Sequence, residues 1–295
     1  MSQVLHNNTE PPFGPIVNGT QIVFFEYRPN IGAAWAFVVL FAIAAAIHFG
    51  MLIWLRAWHF IPLTLGLIGE AFGYYGRVRA HSEPNIAGPF IMQNILILGC
   101  APLIAATVYM TLARYIRVFD IRDRIHIPPR LMTFFFVLVD LGCFVTQVFG
   151  SAAPTSGDPQ GVALGRTLII SGLITQLVAL GLFSLILFIS HRLAISESMG
   201  LKTTPITIFG SKYFHATYCV AGAMVVRSLV RGIEYLQGDK GFIIAHEIFI
   251  YLFDAAPMIL VPVVYVFIHP GKLLRDAAKV VSDGTELARY EVLTS

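Results

Sequence analysis

The sequence predicts an all-α, polytopic membrane protein with seven transmembrane helices, the N-terminus outside and the C-terminus cytosolic. Three observations lead there. Of the 295 residues, 56% are hydrophobic and 13% charged, with a mean hydropathy of +0.73. Soluble domains carry about 25% charged residues, and half that number does not cover the surface of a water-soluble fold. Seven stretches hold the roughly 20 mostly apolar residues that cross a bilayer core. Lys and Arg alternate in density from one connection to the next. The composition excludes a soluble enzyme, a nucleic-acid binder and a disordered chain, and a formal net charge of +3 implies no polyanionic partner.

Residues 1–30 read as an extracellular N-terminal segment. Pro11, Pro12 and Pro15, with no long apolar run, argue against a cleavable signal peptide. Asn7-Asn8-Thr9 and Asn18-Gly19-Thr20 make Asn7 and Asn18 candidate glycosylation sites, usable only on the lumenal side. The seven-helix domain occupies residues 31–268. Its first span, 31–53, has His48 as its one titratable group, and the second, 60–79, is interrupted by Glu70. The third, 89–113, is uncharged; the fourth, 131–150, holds Asp140 alone. A polar, turn-rich connection over 151–166 leads to the uncharged fifth span, 167–190. The sixth, 213–236, contains Arg227, Arg231 and Glu234, and the seventh, 242–268, contains Glu247 and Asp254. Residues 269–295 form a short cytosolic tail, helical near 272–281.

Orientation follows from the connections taken alternately. One set contains Arg56, four arginines over 117–130, Arg192, Lys202, Lys212 and four bases in the tail, twelve in all; the other holds Arg28, Arg77, Arg79, Arg166 and Lys240, which is five. The richer set faces the cytosol. The three cysteines, Cys100, Cys143 and Cys219, lie in apolar stretches without metal or disulfide spacing, and read as small buried apolar residues.

An ionisable group inside a span costs about 2.5–3.5 kcal/mol on insertion scales, so it faces the bundle interior and has a partner. The spacing here places such groups in narrow stripes. Glu70, Tyr74 and Arg77 stand at i, i+4 and i+7; so do Arg227, Arg231 and Glu234, and again Glu247, Tyr251 and Asp254. Asp140 and Gln147 are seven apart on the fourth span, and Gln93, Cys100 and Thr107 repeat that step on the third. A seven-residue step returns to the same helix face within about 20°, so the stripes are expected to meet in a shared hydrophilic interior. Gly66, Gly69, Gly73 and Gly76, spaced 3-4-3, share one face of the second span and permit close helix approach, whether for packing or for sliding. Pro102 and Pro257 predict helix kinks in the third and seventh spans. The charged residues admit three readings: an ion-pair lattice that fixes register, a polar path for a lipid headgroup or amine, or a proton-coupling route.

Several stretches resemble the fungal lipid-translocating exporter family, seven-span proteins associated with aminocholesterol resistance and export of sphingoid long-chain bases. They are Tyr27-Arg28-Pro29, GEAFGYYGR, LGCAPLIAATVYMTLARYIR, VDLGCFVTQVFG, GLITQ, VRSLVRGIEYLQGDKG, HEIFIYLFDAAPM and the closing HPGK, together covering about residues 27–275. The resemblance implies a protein of the plasma membrane or another endomembrane, with a role in lipid translocation or drug resistance, and the two sequons make it a candidate glycoprotein. Its suggested cargoes are sphingoid bases, phospholipids and sterol-like drugs. It implies that Glu70, Tyr74, Arg77, Asp140, Gln147, Gln176, Arg227, Arg231, Glu234, Glu247, Tyr251 and Asp254 occupy the polar positions of the family.

Membrane lipids or lipid-like amphipaths are the expected partners, with a homodimer left open and no nucleic acid. A lipid-handling transporter, whether exporter, floppase-like or scramblase, would use Glu70, Glu247 or Asp254 to hold an amine. It has no GxxxxGK[ST] phosphate loop to drive it. A receptor-like lipid sensor fits the same seven-span layout. An intramembrane hydrolase or metal site does not, because His48, Glu70, Asp140 and His246 lack ligand spacing. No catalytic residue, metal or cofactor is expected.

Overall fold

In lipid, backbone N–H and C=O groups must be satisfied within their own segment, and apolar runs of this length therefore become helices. The computed structural model describes residues 10–275 except 18, 19, 22, 120, 126, 127, 153–158, 201–204, 239, 240 and 274. Its helices are α1 (Ile31–Trp54), α2 (Ile61–Ser82), α3 (Ala87–Val118), α4 (Pro129–Ala152), α5 (Pro159–Gly200), α6 (Pro205–Gln237) and α7 (Ala256–Phe267). Asn7, Asn18 and residues 276–295 of the tail lie outside the described residues.

Local signals fix the ends. The Asn30 side chain accepts from the Ala33 amide (3.0 Å) and caps α1. Beyond Trp54 the chain reverses through Arg56, whose φ of +51° lies in the left-handed region that non-glycine residues rarely adopt. A single 3-10 turn, Trp58–Phe60, leads into α2, which carries proline in its first turn.

Successive helices pack side by side, and α7 returns to α1. The central post is α3, which touches α2, α4, α5 and α6. Two-thirds (67%) of its most apolar window is buried, against 28% for α1 and for α4. Apolar side chains such as Phe49, Phe72, Phe134, Leu185 and Phe267 face outward, while His48, Glu70, Arg77, Asp140, Arg227 and Asp254 are buried. The inside-out polarity is that of a protein dissolved in lipid. Cys100 and Cys143 are buried as expected, but Cys219 is exposed.

Six of the helical segments are clear membrane spans by length and composition, and α2 is less apolar than these. Glu70, Arg77, Arg79 and four glycines lower its hydropathy, although Leu65, Ile68 and Phe72 keep its outer face apolar. The last clearly apolar span starts at Ile250 rather than Phe242, because residues 241–247 run through tight turns closed by bonds such as His246 N to Ile243 O (3.2 Å) before helix begins at Ile248. It opens with a π-helical turn, Ile250–Ala255, and reverts to α geometry before Pro257, which therefore marks a junction. Pro102 sits inside the continuous helix α3.

The N-terminal segment is also more ordered than a loose tail. Strands Ile16–Val17 and Thr20–Gln21 pair as an antiparallel hairpin, and Phe13 bridges Phe25. Phe13 and Phe25 pack on Ala80 of α2, Phe24 stacks on Phe90 of α3 (4.6 Å between centroids), and Gly14 N donates to Asn85 Oδ1 (2.8 Å). The segment caps the end of the bundle where α2 passes into α3.

The four glycines of α2 form the seam with α3. A Cβ on Gly69 would fall on Cys100 Sγ, one on Gly73 would lie 2.8 Å from Ile97 Cγ1, and one on Gly76 would lie 3.0 Å from Gln93 N and 3.1 Å from Pro89 O. This face is used inside the chain, for packing. Gly76→Ala is expected to destabilise by about 1–3 kcal/mol, because backbone atoms must move apart. Gly50→Ala, inside α1 with nothing within 4 Å, should leave the thermal unfolding temperature of the purified protein equal to or slightly above the parent's.

Candidate functional site

Arg77 lies two turns beyond Glu70 on α2 and is 1% exposed. A guanidinium carries five N–H donors and cannot shed its charge. Nη2 donates to Tyr27 OH (2.8 Å) and Glu247 Oε1 (2.9 Å), and Nη1 to Gln93 Oε1 (3.3 Å). Nε donates to Tyr251 OH (3.0 Å) and Glu247 Oε1 (3.3 Å). The Tyr27 and Tyr251 rings also face the cation, 5.5 and 5.3 Å from Cζ. Glu247 Oε1 accepts further bonds from the Asn30 amide (2.8 Å) and Tyr251 OH (3.0 Å). Four parts of the chain are thus tied at one point: the N-terminal segment, α2, α3 and the entry to α7.

Glu247 and Tyr251 face Arg77, and Asp254, inside the π turn, lies deeper along the same side, beside Glu70 and Tyr74. Asp254 faces α6, where its carboxylate pairs with Arg227 Nε. Arg227 also donates Nη2 to Ile97 O (3.2 Å), one residue before the carbonyl that Pro102 frees on α3.

Glu70 belongs to this middle layer and is 1% exposed, yet no protein group hydrogen-bonds either of its carboxylate oxygens. Arg227, Asp254 and Arg231 act on it only through space. The hydroxyl of Tyr74 is likewise buried without a hydrogen-bond partner, and its ring stacks on Phe41 (5.6 Å). An unmet buried polar group costs about 1–3 kcal/mol, more when charged. The middle layer is thus the part of the bundle whose polar capacity the fold itself does not fill.

The remaining polar residues lie elsewhere. Asp140 on α4 accepts from Tyr109 OH (2.7 Å) on α3, with Phe136 and Phe183 around the Tyr109 ring. Gln147 Nε2 donates to Gln176 Oε1 (3.2 Å) between α4 and α5. Arg231 pairs with Glu234 on its own helix (2.9 Å). The stripes all turn away from lipid; those of α2, α6 and α7 meet in one buried interior, where Glu70 and Tyr74 both feel Asp254 and Arg227, while Asp140 and the Gln147–Gln176 pair form separate ties on α4 and α5.

Between α1 and α2 an apolar groove of about 520 Å³ opens along the bundle flank. Ala42, Ala45, Ala46 and Ala71 form its floor, and Phe49 and Phe72 are among its walls. Ala71 follows Glu70 directly in sequence. Among the described residues, no group of three or more His, Cys, Asp or Glu is placed to hold a metal ion. Sequence spacing missed Tyr27 and Tyr109 as charge partners. Tyr27 stood only in the short Tyr-Arg-Pro run ahead of the first span, and Tyr109 lay within an uncharged helix.

A family model described as RTA1 like protein matches residues 63–277. In Saccharomyces cerevisiae the chain is 35% identical over 212 residues to protoporphyrin uptake protein 1, covering 70% of this chain and 67% of that protein. It is 29% identical over 292 residues to protein RTM1, covering 84% and 92%. It is 24% identical over 278 residues to the sphingoid long-chain base transporter RSB1, covering 82% and 72%. No solved structure matches the chain. The matched range contains Glu70, Arg77, Arg227, Glu247 and Asp254, whereas Tyr27 and Asn30 precede it.

Removing one partner of a buried ion pair leaves the other charge stranded, at about 3–5 kcal/mol. Arg77→Gln is therefore expected to lower thermal stability sharply, and Arg77→Gln with Glu247→Gln to recover part of the loss. Tyr27→Phe should cost about 1 kcal/mol and expose the N-terminal segment to limited proteolysis.

Proposed function

The chain belongs to the RTA1-like protein family, and from that premise we propose that it is a lipid-handling membrane transporter, an exporter, floppase-like protein or scramblase for amphipaths. A relative across most of its length is named as a sphingoid long-chain base transporter, and the proposed cargo is a base of that class. The observation that carries the reading is Glu70, a buried carboxylate with no hydrogen bond to either oxygen from the protein. An alkylammonium offers N–H donors and the opposite charge. Glu247 is less suited, since Arg77, Tyr251 and the Asn30 amide already occupy its Oε1. Asp254 faces Arg227.

In this mechanism the ammonium leaves the interface, passes along α2 and is held at Glu70, while the alkyl chain stays in the apolar groove between α1 and α2. Arg227 and Asp254 keep their own pairing and bias Glu70 electrostatically. With no phosphate loop in the sequence, movement is passive or coupled to a gradient. The topology has α2 as a seventh crossing, supported by its 22-residue length, its apolar outer face and its inward-facing Glu70 and Arg77. The N-terminus lies outside, supported by the Lys/Arg bias, and the membrane is the plasma membrane or another endomembrane.

Full-length protein in liposomes is expected to accelerate leaflet exchange of a labelled sphingoid base, and Glu70→Gln to cut that rate at least tenfold without lowering the unfolding temperature. Exchange no faster than in empty vesicles, for sphingoid bases and phospholipids alike, would sink the reading. Full activity in Glu70→Gln would leave transport standing but remove Glu70 from it.

A further inference from the structure

The opposite end of α2 carries a second polar site, made of different chemistry. Its entry turn at His59 stands 18 residues before Arg77, about 27 Å along the helix axis, where α1 ends, α2 begins and the chain leaves α7. A cavity of about 610 Å³ lies there, lined by Arg56, His59, Arg114 and Arg275, with Trp54 and Trp58 also on its walls. Among the described residues, no acidic side chain lines it. Among the described residues, none of the three guanidiniums is ion-paired. Arg114 donates only to its own helix, from Nη1 to Met110 O (3.2 Å).

The fold builds this pocket rather than leaving it as a surface accident. The HPGK run brings the segment after α7 against the α1–α2 turn: a Cβ on Gly271 would lie 3.1 Å from Ala57 Cβ and 2.9 Å from His269 Nδ1. Any side chain there would have to displace the His269 ring and crowd Ala57. Arg56 takes its left-handed φ on the same turn. His59 is 4% exposed and its Nε2 has no hydrogen-bond partner, although the residue lines the pocket. Burial, reinforced by Arg114 and His269, pushes His59 down to about 3, so the neutral ring brings hydrogen-bonding capacity without adding charge.

We propose that this pocket binds a phosphate group, presented by an anionic lipid headgroup or as free phosphate. Guanidinium forks match phosphate oxygens in geometry and charge. Trp54 and Trp58, both largely exposed, are residues of the kind that settle at headgroup depth. Anionic lipids concentrate beside bases at that depth. The site is independent of Glu70 and of the cargo held there.

The test uses the full chain purified in uncharged detergent and titrated with phosphatidic acid, phosphatidylcholine or inorganic phosphate. Tryptophan fluorescence is followed, to which Trp54 and Trp58 contribute two of the three tryptophans. Phosphatidic acid is expected to give a saturable change that phosphatidylcholine does not. Arg56→Asn with Arg275→Gln should weaken it at least tenfold at an unchanged unfolding temperature; asparagine tolerates the left-handed turn. Saturation by inorganic phosphate, lost in the same variant, assigns the site to free phosphate; saturation only by the lipid assigns it to a headgroup. No saturable response to either, an equal response to phosphatidylcholine, or undiminished affinity in the variant would overturn the proposal. Should that variant fail to fold, Arg114→Gln is read by the same criteria.

Discussion

A guanidinium that is 1% exposed inside a helix bundle must have its donors met by protein, and Arg77 draws on Tyr27, Gln93, Glu247 and Tyr251 to do so. Those four residues sit on three other parts of the chain, and satisfying one side chain fixes all of them. The N-terminal segment has to fold back over the end of the bundle. The stretch before α7 has to turn tightly enough to present Glu247. The amide of Asn30 joins the same carboxylate, which ties the start of α1 to the start of the last span. The register of α2 against α1, α3 and α7 follows from one buried cation.

The close approach of α2 to α3 serves the same constraint. Glycine at 69, 73 and 76 lets the two helices meet within side-chain radius, and this brings Gln93 to Arg77 and Cys100 beside Glu70. Bulkier residues on that face would separate Gln93 from its donor. Packing and electrostatics are one feature here. The aromatic column of Phe37, Phe41, Tyr74 and Tyr251 completes the wall between them with stacked rings.

The polar interior is divided by degree of satisfaction. At one end Arg77 and Glu247 satisfy each other and behave as structure. In the middle Arg227 and Asp254 pair, while Glu70 stands without a hydrogen bond. At the other end Arg56, Arg114 and Arg275 gather with no acid among the described residues around them. Along α2 the environment therefore changes from balanced to acid-rich to basic. A bundle so graded offers an amphipath different chemistry at different depths, which a uniform ion-pair lattice would not.

The sequence by itself determined the solvent and the sides of the helices. Its shortage of charge required lipid, its apolar runs required helices, and the i, i+4, i+7 spacing of Glu70, Tyr74 and Arg77 turned one face of α2 inward, because helical periodicity is local and survives any packing. The glycine seam was legible for the same reason. Partner choice was not. Spacing grouped Asp254 with Glu247 and Tyr251 but did not name Arg227 on α6 as its partner; spacing suggested one common interior, yet Asp140 found Tyr109 instead. Tyr27 and Gly271 lie outside any periodic run, and their roles exist only once distant segments meet. Tertiary structure decided which charge meets which, because ion pairing depends on contacts of a few ångströms between residues far apart in the chain, and no local pattern records those distances.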